Sequence, residues 1–133
     1  MARLHVVALD ARLPAWAEQA CAEYARRMPK GYEVFRLNLR KEKVKSTTKN
    51  MRIVALDERG KDLTTVQFAE LLKAETAFVI GGADGLDAEL KASAFLLLRL
   101  SSLTLPHALA QVVLLEQIYR AATLLTGHPY HRA

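Results

Sequence analysis

Between Pro106 and Thr126 the sequence is apolar around almost the whole circumference of a helix. Ala108, Leu109, Ala110, Val112, Val113, Leu114, Leu115, Ile118, Tyr119, Ala121, Ala122, Leu124 and Leu125 cover most of it, and Glu116, Arg120 and Thr123 form a narrow polar stripe at i, i+4 and i+7. Such a helix must be covered on more than one side. One cover is a sheet. The other is a second subunit or a second helix of the same chain, and the pattern leaves both open. Gly127 supplies a left-handed C-cap and Pro129 bars continuation, so the closing "GHPYHRA" is held against a firm helix end. At 133 residues the chain has room for one such core and is read as a single domain, 1–133.

The rest of the chain alternates strand and helix. Leu4–Leu9 is a short apolar strand. A helix opens at Leu13-Pro14-Ala15-Trp16 and runs to about Met28, with Pro14 suited to a first turn. Tyr32–Leu39 alternates with period two, facing Tyr32 and Val34 inward, with an irregularity before Leu37 or Leu39. Arg52–Leu56 is a strand, Leu63–Ala74 a helix, Ala77–Ile80 a buried strand ending at Gly81-Gly82, and Asp87 to about Leu98 a helix. This order predicts an α/β fold with a mostly parallel sheet and helices on both faces. Its ligands are expected beyond the carboxyl ends of the strands.

The net charge of +5 is concentrated in one place. Between Arg36 and Arg52 stand seven basic side chains against one acid, Glu42. The segment reads either as a solvated loop or as a patch for a phosphate backbone built from Arg40, Lys41, Lys43, Lys45 and Lys49. No apolar run approaches the ~18 residues of a membrane span. Asp10 ends the first apolar stretch too early for a secretory signal, so a cytoplasmic protein without membrane association is expected. Cys21 shares an apolar helix face with Ala17, Tyr24 and Met28 and reads as a small core hydrophobe. The four histidines, His5, His107, His128 and His131, have no metal-ligand spacing, and no metal is expected.

Three stretches can carry chemistry. In "FVIGGADGL", Phe78–Leu86, glycines follow a buried strand and let backbone approach a ligand. It is not the dinucleotide fingerprint, and a plain structural turn is an equal reading. "LRLSSLTLPH", Leu98–His107, can present backbone N–H and C=O groups to a flat ligand. The tail offers Tyr130 as a stacking ring, His131 as an imidazole and Arg132 as a guanidinium, a set suited to an unstacked base and its phosphates, although by itself a C-terminal His-Arg is more often inert surface than active site.

"IGGADGL" (Ile80–Leu86), "LSSLTLPHALAQVVLLEQIYRA" (Leu100–Ala121) and "GHPYHR" (Gly127–Arg132), in this order, resemble the signatures of the RlmH-type methyltransferases. The stretches "ALDARLPAWAEQACAEYARRMP" and "RIVALDERGK" are similar to that family as well. The resemblance covers nearly the whole chain. It implies a SPOUT-type fold with a C-terminal trefoil knot, a homodimer, and S-adenosyl-L-methionine held in the knot, with the knot and cofactor region at about 77–126 and a substrate tail at 127–133. It further implies methyl transfer to N3 of a pseudouridine in 23S ribosomal RNA within the ribosome. By motif, Leu56, Gly81, Gly82, Leu100, Ser101, Ser102, Leu103, Thr104 and Leu105 match the family's cofactor contacts, and Tyr130, His131 and Arg132 match its substrate-facing tail. The chain departs from the pattern in two places. Where most members carry an additional helix between the strands ending at Leu39 and starting at Arg52, only "RKEKVKSTTKNM" stands, and the family's "GGPEG" is "GGADG".

Overall fold

The computed structural model describes residues 2–10, 12–82 and 84–130. Five strands, β1 (Ala2–Leu9), β2 (Tyr32–Leu39), β3 (Arg52–Asp62), β4 (Thr76–Ile80) and β5 (Leu96–Arg99), form one sheet in the order β2-β1-β4-β3-β5. Every pairing is parallel, as the alternation of elements requires. The central strand β4 is buried along all five of its residues, "TAFVI", the continuous apolar run of a strand covered on both faces.

Among the described residues five α-helices cover the sheet: α1 (Ala15–Arg26), α2 (Lys41–Thr47), α3 (Thr65–Glu70), α4 (Ala88–Ser93) and α5 (His107–Thr126). On one face Leu4, Val6, Val54 and Phe78 meet Cys21 of α1, Phe68 of α3 and Leu114, Leu115, Ile118 and Ala122 of α5. On the other, Val7, Ala55, Ala77 and Val79 meet Val44 of α2 and Leu86, with Leu90 of α4 packed alongside. The apolar circumference of α5 therefore has an explanation within one chain, because the helix lies on the sheet and also packs against α1 and α3. By length and composition alone α5 could cross a membrane, contrary to the expectation from apolar run length. Gly127 caps it in the left-handed region at φ 75°, as expected.

Four expectations are corrected. The segment from Asp87 is not one helix to Leu98: α4 ends at Ser93 and Leu96–Arg99 is a strand pairing with β3. A short apolar run has no period of its own, so its state is set by the neighbour it pairs with. The basic segment is not a loop, since Lys41–Thr47 is helical and anchored by the single buried residue Val44. The helix expected over Leu63–Ala74 shortens to α3, started by a capping box of Thr64 and Gln67, and finishes in a 3-10 turn at Leu71–Lys73. The irregularity expected in β2 is absent, because β2 pairs with β1 without a break from Tyr32 to Leu39.

The irregularity lies in β3. Leu56 and Lys61 both align with Leu98, so Asp57, Glu58, Arg59 and Gly60 are looped out between them. Gly60 lies on the backbone of β5, where an added Cβ would stand 2.7 Å from the carbonyl carbons of Leu97 and Leu98. Arg99 forks onto Asp62 and holds the far limb of the bulge, lowering the Asp62 pKa chiefly through that hydrogen bond. Gly60→Ala is expected to destabilise the fold by on the order of 2 kcal/mol, measured by denaturant unfolding. An unchanged midpoint would mean that β5 can retreat freely.

Candidate cofactor cleft

The carboxyl ends of β3, β4 and β5 and the first turn of α5 enclose a cleft of about 530 Å³. It opens where the strand order doubles back, the usual position for a ligand of an open parallel sheet. Its walls bring together Leu56, Gly81, Gly82, Leu100, Ser101, Leu103, Thr104 and Leu105, eight of the nine residues singled out for a cofactor. Ser102, the ninth, is exposed and does not line it.

The glycine turn is built by close backbone approach. Gly82 and Gly85 form an antiparallel bridge, with the Gly85 N–H donating to the Gly82 carbonyl at 3.0 Å. An added Cβ on Gly81 would stand 2.5 Å from the Gly85 carbonyl carbon. Gly85 takes φ +72°, a conformation that disfavours other residues. Asp87 then starts α4 by accepting from the Leu90 N–H at 2.9 Å, which with Lys41 lowers its pKa.

Several cleft residues escaped the sequence reading. His107 Nδ1 lies 2.8 Å from the Gly81 carbonyl oxygen, which can only accept, so the proton sits on Nδ1. His107 thus latches the start of α5 to the glycine turn. Its Nε2 is buried and has no hydrogen-bond partner among the described residues. Asp57, Glu58 and Asp84 also line the cleft, with Lys91 and Arg99. The adjacency of Asp57 to the "VAL" of β3 was the available signal. The bulge that turns Asp57 and Glu58 into the cleft left none.

The polar patch is partly neutralised. Lys41 pairs with Asp87 at 3.0 Å and Lys45 with Glu89 at 3.7 Å, tying α2 to the start of α4. Arg40, Lys43 and Lys49 are exposed. At the edges of the segment, Arg36 forks onto Glu18 and Arg52 lies over Phe95.

Of the tail, His131 and Arg132 lie outside the described residues. Tyr130 does not line the cleft of its own chain. Its ring packs on Tyr119 at 4.6 Å and under the Arg120 guanidinium at 5.0 Å, and its hydroxyl donates to Glu116 at 2.9 Å. The ring is therefore committed to the polar stripe of α5 and is not a free surface for a base. Burial, followed by the hydrogen bond to Glu116, pushes the Tyr130 pKa up to about 12. The bond contributes stability that is complete below the ordinary phenol value and is lost as pH rises through about 12. Ultraviolet titration is expected to show one tyrosine that ionises only near pH 12, and Tyr130→Phe should remove that late step.

An open all-parallel α/β sheet with a glycine-walled, partly apolar cleft at the carboxyl ends of its strands is the class of fold that usually takes its ligands at that position. A family model described as "Predicted SPOUT methyltransferase" matches residues 2–131. The ribosomal RNA large subunit methyltransferase H of Burkholderia thailandensis is 45% identical, with 98% of this chain and 99% of the relative aligned. That of Paraburkholderia xenovorans is 45% identical over the same shares of the two chains. The chain belongs to the SPOUT methyltransferases, in the family of the ribosomal RNA large subunit methyltransferase H. The alignment to the Burkholderia protein is 158 positions long against 133 residues here, so that relative holds residues with no counterpart in this chain. Among solved structures, the SpoU methyltransferase AviRb from Streptomyces viridochromogenes, in complex with the cofactor AdoMet, matches with a TM-score of 0.58 at 13% identity. It covers 96% of this chain and 58% of its own, a likeness of fold alone.

Proposed function

We propose that this protein transfers a methyl group from S-adenosyl-L-methionine to N3 of a pseudouridine in 23S ribosomal RNA within the large subunit or the assembled ribosome. The observation that carries the reading is the convergence of the family's cofactor residues on one cleft whose closest approach, Gly81 to Gly85, leaves no room for a side chain. The fit is chemical as well as spatial. Leu56, Ile80, Leu100 and Leu105 offer apolar walls for a flat base, and the rim beside them is charged.

S-adenosyl-L-methionine supplies an electrophilic methyl on a sulfonium, which needs no protein nucleophile. The chain's own task is alignment of the acceptor nitrogen and exclusion of water. Gly81 and Gly82 let backbone close on the ligand, and residues 100–105 form the opposite wall. His131 accepts the imide proton and Arg132 stabilises the charge left on the ring. Tyr130, fixed on Tyr119 and Glu116, anchors the chain immediately before these two residues.

In this reading 77–126 thread a trefoil knot, and two chains associate through α5 and α1 so that the tail of one meets the cofactor of the other. Trp16 on α1 and Leu109 on α5 are exposed apolar side chains on two packed helices and support that interface. The position of Tyr130 away from the cleft of its own chain supports it too. Arg40, Lys43 and Lys49 give the RNA backbone an exposed basic edge that does not depend on the paired Lys41 and Lys45. The protein works in the cytoplasm, with no membrane and no metal.

The test uses labelled S-adenosyl-L-methionine and ribosomes from a strain lacking this activity. Label at one large-subunit pseudouridine is the expected result. Binding of S-adenosylhomocysteine without any transfer would replace the reading with that of an RNA-binding homologue that keeps the cleft and has lost turnover.

A further inference from the structure

Asp57 is the first residue looped out of β3, and its side chain is only 13% exposed. Its nearest cation, Lys91 Nζ, stands 3.6 Å away, beyond hydrogen-bond reach, and the carboxylate accepts no hydrogen bond among the described residues. Arg99, which also lines the cleft, is by contrast forked onto Asp62. Both charges face the cleft, and at 3.6 Å the pair leaves each of them able to take a further partner there.

We propose that Asp57 and Lys91 bind the amino-acid end of the cofactor, Asp57 accepting from its α-ammonium and Lys91 donating to its α-carboxylate. The inference rests on the methyltransferase reading above. The two charged groups lie 3.6 Å apart in the cleft wall, Asp57 on the β3 bulge and Lys91 on α4. A zwitterion presents the same two charges on neighbouring atoms in the complementary order, so both members of the pair gain a charge-assisted partner at once. Neither a ribose, which offers only hydroxyls, nor an RNA phosphate, which offers only negative charge, satisfies both. The apolar walls at Leu56, Ile80 and Leu105 are left for the base. Glu58 is exposed, and His107 Nδ1 is occupied by Gly81.

S-adenosylhomocysteine and 5′-methylthioadenosine share the base, the ribose and the sulfur, and only the first carries the amino-acid end. Calorimetry with both ligands on wild type, Asp57→Asn and Lys91→Met therefore isolates this subsite. Each variant is expected to lower affinity for S-adenosylhomocysteine about tenfold and to change affinity for 5′-methylthioadenosine by less than about twofold. Retained binding of 5′-methylthioadenosine reports that the variant is folded. If both ligands weaken in parallel, or neither weakens, the pair does not read the amino-acid end and the proposal is overturned while the cofactor cleft stands. If wild type binds neither ligand, the methyltransferase reading falls and takes this one with it.

Discussion

Gly81→Ala is expected to abolish detectable S-adenosylhomocysteine binding, a loss of at least about 100-fold by calorimetry. The added methyl would stand 2.5 Å from the Gly85 carbonyl carbon and 2.7 Å from its oxygen, both backbone atoms with no rotamer to change. Relief requires the turn to open, and opening moves the Gly81 carbonyl that His107 holds at 2.8 Å. The glycine wall and the start of α5 would shift together. Gly85→Ala is the control. There φ is +72° and nothing lies within 4 Å of the new Cβ, so the change strains the backbone by about 1 kcal/mol without a steric block. It should lower the unfolding midpoint slightly and leave most of the binding. Equal binding losses from the two substitutions would mean that conformational strain, and not close approach, explains the glycines.

Ending the chain after Tyr130 is expected to lower methyl transfer to ribosomes at least about 100-fold, the usual scale of a lost proton acceptor, while leaving S-adenosylhomocysteine affinity and thermal stability unchanged. The separation of effects follows from the anchoring. Tyr130 packs on Tyr119 and donates to Glu116, so the cut falls beyond the last described contact with α5. His131→Ala in the full chain should reproduce most of the loss. A truncated chain with an undiminished single-turnover rate would remove the tail from the mechanism and return the search for a proton acceptor to the cleft.

Elements with their own punctuation could be read from the sequence. Gly127 and Pro129 fixed the end of α5 to the residue, and the break at Gly81-Gly82 marked the end of β4. The alternation of apolar strands with longer helical patterns was enough to predict a parallel sheet covered on both faces. Cys21 was correctly read as core, and burial raises its thiol pKa. The glycine turn and the Leu100 to Leu105 loop were recognised by motif, and the fold brings them into one cleft.

What the sequence determined by itself was therefore the periodic elements, their caps and the residues a motif marks, because each depends on neighbours within a few positions of the chain. Only the tertiary structure decided the rest. Leu96–Arg99 is a strand because β3 offers it an open edge, and Val44 makes a helix of the basic segment by reaching a core formed from three strands. Asp57 enters the cleft because two residues of β3 share one partner, Leu98, and His107 finds Gly81 across 26 positions of sequence. Each of these pairs residues far apart in the chain. Such pairings are selected by packing and backbone hydrogen bonding in the assembled sheet, which no local pattern records.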